Sequence, residues 1–356
     1  MKKISASVGP KMVCGALKKY LVSFLFVVNE GVAMAFLAPL PQNLKLIGIC
    51  PPRLFSMKRT NQLQPKTVAC RDPAFRGQYF DRQWELTKEN FRGKWCGPSY
   101  WYIRQGQDLD LSQPSWQTKD TCYEITFSDS ETGQWKGTGL RFTNETLILP
   151  LSRSGFNPEQ QTFLFPSTNG LGGIGGQTTR LLSRSEPRSR YAYEINFFNQ
   201  RTRSMIIPIY TRRDWAGAPQ VVLESVGIAA FRCQLGCAIG ERPRIDGPAA
   251  LAARLRGWQG QRLSFGPSTP LDETRRPCGP FDLAAFAPRP GAVTASFPDN
   301  IVLSAPEVVP DSEPFEIRAG CLQTDDLFKL VTVSFAAGGN LLAWTFDEFR
   351  PPNLAA

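Results

Sequence analysis

The 356-residue chain contains no histidine. Histidine is the usual general base of serine and cysteine hydrolases and a common zinc ligand, so Ser–His–Asp catalysis, Cys–His catalysis and His-ligated metal sites are excluded. A reaction would have to rely on carboxylates, cysteines or lysines, and nothing in the sequence brings two acids together as glycoside hydrolysis requires. We therefore expect a protein that is not an enzyme and that needs no metal or cofactor.

The chain also lacks an apolar run long enough to cross a membrane. The most apolar part of the N-terminal segment, Leu21–Val28, is well short of the roughly 20 residues that a spanning helix needs. Lysines precede it and the small-residue pattern Ala33-Met34-Ala35 follows it, which is typical of a secretory signal. The sequence predicts a signal peptide over residues 1–35 and no stable membrane span.

Outside the N-terminal segment the chain has no surplus of charge. Residues 1–71 hold eleven of the 41 basic residues and one of the 31 acidic residues, which leaves thirty of each sign in the remainder. The net charge of +10 therefore belongs to this segment. Because binding to phosphates needs a clustered basic surplus, we expect no nucleic-acid partner for the folded part.

Residues 36–71 have the composition of a transit peptide, with six basic residues, no acid and several prolines. A signal cleaved just before Phe36 and followed by such a stretch resembles the bipartite leaders of algae with complex plastids of red origin. The resemblance implies import into the plastid stroma. Plain secretion and a disordered basic tail are the alternatives.

The cysteines and one glycine-rich stretch give weak signals. Six cysteines follow the leader at wide spacing, so the sequence does not call for a disulfide framework. We expect Cys233 and Cys237 to be a structural or weakly redox-sensitive pair. Gly170–Gly175 matches the dinucleotide-binding pattern G-x-G-x-x-G literally. No long helix follows it, so we expect a mobile glycine loop at a barrel mouth instead.

Short strands dominate the rest of the sequence. Tyr123, Ile125 and Phe127 alternate with polar residues, which is the pattern of a half-buried strand. Residues 190–210 and 330–346 read as hairpins around turns that contain asparagine or glycine. Many short antiparallel strands with only two short helices favour barrels over a parallel α/β sheet.

A Gly-Trp element opens each of two strand series. Gly93 and Trp95 precede the first series, and Gly257 and Trp258 precede the second. Glycine allows a sharp turn and tryptophan can close a barrel end, which is how lipocalin-type barrels begin. The prediction is an all-β fold of two tandem lipocalin-like (calycin) antiparallel β-barrels with short flanking helices. The first barrel spans 72–237, a linker with a helix 238–254, and a second, smaller barrel 255–356.

The order of these elements, ending in Trp344-Thr345-Phe346-Asp347, resembles the calycin-like family of plastids and cyanobacteria that includes the chloroplast biogenesis factor required for ATP synthase. The likeness covers roughly residues 72–350. It implies a stromal assembly role through contacts with subunits of a photosynthetic complex, the ATP synthase catalytic head above all. The second element departs from the first by losing the residue between glycine and tryptophan.

The runner-up function is a calycin-type carrier of a hydrophobic small molecule or pigment, such as a lipid or a tetrapyrrole. A closed barrel of about eight strands can hold one hydrophobic ligand. The residues that could line such a cavity are Tyr123, Phe127, Tyr193 and Phe197. Packing in an ordinary core is the alternative role for all four.

Overall fold

The structure, a computed structural model, describes residues 73–138, 146–155, 162–167, 170–178, 190–234, 240–266, 269–310, 312–337, 339 and 341–354. The predicted leader, residues 1–71, lies outside these ranges, as does Cys237. Two α-helices and sixteen β-strands make up the described chain.

The first sheet has nine antiparallel strands in the order β4-β3-β2-β1-β9-β8-β7-β6-β5. Its strands are β1 (Gly93–Ile103), β2 (Trp116–Phe127), β3 (Thr132–Gly137), β4 (Leu147–Ser152), β5 (Thr162–Ser167), β6 (Gly170–Thr178), β7 (Arg190–Asn199), β8 (Thr202–Trp215) and β9 (Ala218–Cys233). Helix α1 (Pro73–Phe91) precedes it.

The second sheet has seven antiparallel strands in the order β11-β10-β16-β15-β14-β13-β12. Its strands are β10 (Gln259–Gly266), β11 (Thr269–Pro280), β12 (Ala292–Phe297), β13 (Ile301–Pro306), β14 (Phe315–Thr324), β15 (Leu327–Phe335) and β16 (Leu341–Arg350). Helix α2 (Gly247–Arg254) precedes this sheet.

Both sheets follow the strand order of an up-and-down barrel. In each sheet the strands pair with their sequence neighbours, and the first strand also pairs with the last, β1 with β9 and β10 with β16. Among the described strands the ring is interrupted once in each sheet, between β4 and β5 and between β11 and β12. The predicted all-β fold of two tandem antiparallel barrels with flanking helices is confirmed, and α1, with 19 residues, is longer than the short flanking helix that the sequence predicted.

Three apolar clusters divide the interior. One lies inside the first sheet and includes Trp95, a second lies on the corresponding side of the second sheet and includes Trp258, and a third lies between the sheets. Side chains alternate between the two faces of a strand, and both faces of β8 are buried. Ile206 faces the core between the sheets and Ile207 faces the first barrel's interior. The two barrels therefore share one core.

Helix α1 spans the interruption in the first sheet. It packs against β5 and β6 on one side. On the other side the Trp84 indole N–H donates to the Ser130 carbonyl at 2.5 Å, and Arg153 pairs with Asp81 at 2.6 Å. The buried face of the helix recurs at helical spacing and includes Trp84, Leu86 and Phe91. We infer that α1 packs where β4 and β5 do not pair.

Backbone and side-chain bonds also tie the two sheets together. The Leu223 N–H donates to the Glu307 carbonyl at 2.8 Å, and the Val309 N–H donates to Val221 at 2.8 Å. The fully buried Arg104 side chain contacts the Glu307 carboxylate at 2.8 Å. A strand-like contact and a partly buried ion pair thus connect β9 with the segment after β13.

Candidate functional site

The first Gly-Trp element closes one end of the first barrel. Trp95 is fully buried, and its indole N–H donates to the Phe91 carbonyl at 2.8 Å, so the last turn of α1 holds the ring in place. Gly93 has a φ of 121°, a conformation that favours glycine. A Cβ atom at this position would lie 2.8 Å from Arg201 Nη2 and 2.9 Å from Cys233 Sγ. Glycine is therefore required here by both conformation and space.

Arg201, in the turn between β7 and β8, covers the Trp95 ring. Its guanidinium carbon lies 4.9 Å from the ring centroid, a cation–π distance. The same guanidinium donates to the carbonyl of Arg92 and to Cys233 Sγ, the latter at 2.7 Å. This arginine joins the hairpin turn, the end of α1 and the end of β9 into one closed rim.

The second element occupies the equivalent place in the second sheet but is built differently. Trp258 is 6% exposed and packs with Leu251 and Leu255 of the α2 segment. Gly257 has a φ of 80°, and a Cβ atom there would meet nothing within 4 Å. Glycine is needed at this position for its backbone angle, not for space.

The four aromatic residues predicted to line one cavity do not share a face. Tyr123 and Phe127 belong to the interior of the first barrel, and Phe127 packs edge-on against Trp84 of α1 at 5.3 Å. Tyr193 and Phe197 lie on the opposite face of the sheet, in the core between the two sheets. The prediction of a common lining is wrong, because β7 presents its odd-numbered side chains outward.

The inward face of β7 and β8 carries a buried polar network that the sequence did not reveal. The Arg203 guanidinium donates to Glu194 Oε1 at 2.8 Å, to Asn196 Oδ1 at 2.7 Å and to the Tyr123 hydroxyl. The guanidinium carbon also lies 4.8 Å from the Phe91 ring centroid. Burial raises the pKa of Tyr123 well above its ordinary value, although Arg203 acts in the opposite direction.

One atom of this network has no partner. Glu194 Oε1 accepts hydrogen bonds from Arg203 and Asn196, whereas Glu194 Oε2 is buried and accepts none in the described part of the chain. An unpaired buried oxygen costs about 1–3 kcal/mol, so it marks a place where a further hydrogen-bond donor would be favourable. The other members of the network hold each other in fixed positions.

A second buried network joins the two barrels at Asp299. Its carboxylate, fully buried, accepts hydrogen bonds from the Ser204 hydroxyl at 2.5 Å, from Arg232 Nη2 at 2.5 Å and from the Arg242 backbone N–H at 2.9 Å. Asp299 and Asn300 have φ values of 62° and 57°, so they form the left-handed turn of the β12–β13 hairpin. This carboxylate links β8, β9, the linker and the second sheet.

Lys329 is a third buried charge at the junction. Its ammonium group donates to the Phe198 carbonyl at 2.6 Å and lies 3.7 Å from Glu348 Oε1. Burial lowers the pKa of Lys329 to about 8, although Glu348 opposes the shift. The lysine ties β15 of the second sheet to the end of β7.

The cysteines and the glycine-rich stretch differ from expectation. Cys96 and Cys122 form a disulfide between β1 and β2, which the wide spacing had not suggested, and Cys233 is a buried free thiol. Gly170–Gly175 belongs to strand β6, so the predicted glycine loop is wrong. A strand cannot supply the helix N-terminus that pyrophosphate binding requires.

The described residues offer neither a metal site nor a membrane-spanning helix. No group of three or more cysteine, aspartate or glutamate side chains in these ranges is placed to hold a metal ion. None of the helices described here combines the length and apolar character needed to cross a membrane.

Comparison with known proteins supports the fold and leaves the function open. No family model matches the chain, and no curated protein matches it. A crystal structure of a DUF3598-family protein of unknown function from Nostoc punctiforme is similar, with a TM-score of 0.53 and 15% identity over 76% of this chain and 98% of that chain. A candidate outer membrane protein from Bacteroides fragilis aligns over 74% of this chain and 99% of that one, at 7% identity and a TM-score of 0.21.

Proposed function

We propose that this protein is a non-catalytic assembly factor that binds subunits of a plastid photosynthetic complex, with the ATP synthase catalytic head as the favoured client. The observation that supports this proposal most is that the buried charged residues stabilise the fold. Arg203, Asp299, Arg104 and Lys329 each contact groups on other strands, and all four support the two barrels. Such a construction suits a rigid binding platform.

The packing of the interior supports the same proposal. Large aromatic side chains fill the part of the first barrel around Trp95, including Trp84, Trp101, Tyr123 and Phe198, each at most 4% exposed. A carrier uses an open apolar cavity that encloses most of its ligand. Because the interior is filled, we infer that the protein binds its partners through its outer surface. Transient protein contacts use surfaces of mixed polarity.

The plastid location and the client rest on sequence. The leader composition favours plastid import, and the resemblance to the calycin-like family favours the ATP synthase head. If both hold, the mature protein starts near residue 70 and carries almost no net charge. N-terminal sequencing of protein isolated from the organism tests this, and an intact Leu21–Val28 run would contradict it.

The carrier of a hydrophobic molecule is the second candidate, and one observation favours it. Glu194 Oε2 is a buried acceptor that receives no hydrogen bond from the side chains that the structure describes. A ligand with a hydroxyl or N–H group beside an apolar body would satisfy this oxygen while packing against the aromatic interior. The two candidates therefore differ in what purified protein should contain.

The discriminating experiment captures the mature protein from plastid stroma. Bound proteins are identified by mass spectrometry, and one half of the sample is extracted for pigment and lipid. Enrichment of catalytic-head subunits, followed by direct binding of the purified subunits in solution, is the expected result. A stoichiometric small molecule without these subunits would overturn the proposal in favour of the carrier.

A matched variant separates the two outcomes further. Glu194→Gln replaces one carboxylate oxygen with an NH2 group of similar size, and it also removes the negative charge that pairs with Arg203, so the fold of the variant is checked by circular dichroism. Loss of a bound small molecule in this variant, with the fold retained, would assign that molecule to the first barrel. Client binding through the outer surface should be unchanged, because Glu194 is 2% exposed.

A further inference from the structure

The disulfide of the first sheet lies on the outward face of β1 and β2, the face on which Tyr100 and Tyr102 of β1 meet the second sheet. Cys96 of β1 stands directly opposite Cys122 of β2 in the strand register, with 4.2 Å between their Cα atoms. Trp95 and Tyr123 beside them point into the barrel, so the two sulfurs point out. Both cysteines are half-buried, whereas the free thiols of Cys233 and Cys321 are buried. A reductant could therefore reach the bridge without unfolding the barrel.

The strands around the bridge are held together without it. The pairing of β1 with β2 continues on both sides, from Gly93 opposite Ile125 to Trp101 opposite Trp116, with one shift of register between Gly97 and Ser99. On its other edge β1 pairs with β9. Since backbone hydrogen bonds already fix the neighbours of both cysteines, we expect the strands to stay paired when the sulfur–sulfur bond opens.

The charges around the two sulfurs are unequal. Arg232 of β9 lies directly opposite Cys96, and side chains at such positions are typically within about 5 Å at Cβ. This guanidinium also binds Asp299, and Lys94 lies two residues before Cys96 on the same face.

The acids lie nearer the other sulfur. Asp120 and Glu124 are exposed and flank Cys122 along β2, with Glu124 opposite Lys94. Positive charge stabilises a thiolate and negative charge opposes it, so Cys96 is the better leaving thiolate.

We propose that Cys96–Cys122 is a thiol–disulfide exchange site for a dithiol protein of the Cys-x-x-Cys type. A thiolate of the reductant attacks Cys122 Sγ, the sulfur–sulfur bond breaks, and Cys96 departs as a thiolate. The second thiol of the reductant then attacks its partner in the mixed disulfide and releases Cys122. The two electrons and two protons lost by the dithiol end on the two cysteines, and the reductant becomes a disulfide. The site does not depend on the client proposed above.

The mixed disulfide can be trapped and mapped. Oxidised, folded full-length chain is incubated with a thioredoxin variant whose second active-site cysteine is replaced by serine, and the adduct is digested for peptide mass analysis. The expected adduct is on Cys122, at least about ten-fold over Cys96. In parallel, dithiothreitol should expose two alkylatable thiols while the near-UV circular dichroism is retained, and reoxidation should remove them. A bridge that opens only in denaturant, or an adduct mainly on Cys96, overturns the proposal.

Three variants serve as controls. Cys278→Ser removes a half-buried free thiol and so lowers the background of alkylation, and the gained thiols are assigned to the bridge by comparison with the double variant that lacks it. The Cys96→Ser/Cys122→Ser double variant should form no adduct. Asp120→Asn with Glu124→Gln changes only exposed side chains, and it should lower the preference for Cys122. An unchanged preference would refute the role of the local charges.

Discussion

Replacing Asp299 with asparagine should destabilise the junction between the barrels by about 3–5 kcal/mol, the usual cost of breaking a buried ion pair. Asparagine has the same shape and tolerates the φ of 62° found here, so the backbone turn is not at issue. The change removes only the negative charge and one accepting oxygen. Arg232 and Arg242 then keep their charges with side chains 12% and 9% exposed.

The hydrogen bonds give a similar magnitude. The carboxylate accepts from Ser204, from both terminal nitrogens of Arg232, and from the backbone and side chain of Arg242. An asparagine amide would turn its NH2 group toward some of these donors and lose two or more bonds, each worth about 1.5–3 kcal/mol when charged. Arg242 retains the Gln323 carbonyl at 2.7 Å, which limits the loss.

The assay is equilibrium unfolding in denaturant followed by two probes, tryptophan fluorescence and far-UV circular dichroism. Because the barrels share one core, the unmodified protein should unfold in a single transition. Asp299→Asn should lower the midpoint and separate the two probes. Asp325→Asn removes a surface carboxylate that contacts Arg254 at 2.5 Å, and it should change little. Equal midpoints for Asp299→Asn and the unmodified protein would refute the conclusion that Asp299 stabilises the junction between the barrels.

Three further tests address other parts of the structure. Trp95→Ala and Trp258→Ala should each lower the free energy of unfolding by about 3–5 kcal/mol. Because the two rings lie in separate clusters, the two losses should add in the double variant. Strong coupling between them would argue against separate barrel ends. Gly93→Ala should lower the thermal midpoint more than Gly257→Ala, since only the former adds a clash to an unfavourable φ. The pKa of Lys329 is about 8 in the folded protein, and that of a free lysine is about 10.4. Between these two values the unfolded chain binds more protons than the folded protein. The contribution of Lys329 to stability therefore rises with pH over this range. Lys329→Met should remove that rise, by at most about 1.4 kcal/mol per pH unit, and identical pH profiles would refute the shift.

Local sequence patterns predicted the strands and the two Gly-Trp elements. The alternation around Tyr123 predicted β2, and the segments around residues 190–210 and 330–346 form the hairpins β7–β8 and β15–β16. Trp95 and Trp258 are buried at the expected places, each next to a helix. These predictions succeed because strand periodicity and the Gly-Trp turn depend on neighbouring residues.

The buried network of the first barrel was missed although a signal was present. Arg203 shares its strand face with Met205, Ile207 and Ile209. A charged residue at such a position, in line with apolar residues that face the barrel interior, is the signal that was present. The sequence could not say that Glu194 and Asn196 of β7 would lie on the same face of the sheet within reach of Arg203, because that depends on the register of the hairpin. The sequence did not single out Asp299 for the same reason, because its arginine partners come from β9 and the linker.

The sequence by itself determined that the chain is all-β, where the two strand series begin, and that histidine-dependent chemistry is absent. Only the tertiary structure decided which face of each strand meets which core. Tyr193 and Phe197 differ from Tyr123 in facing the second sheet, and Cys96 meets Cys122 through strand pairing. The physical reason is that a strand has two faces of equal local character. Contacts between residues distant in sequence choose between those faces, and the same contacts give Asp299 its two arginines.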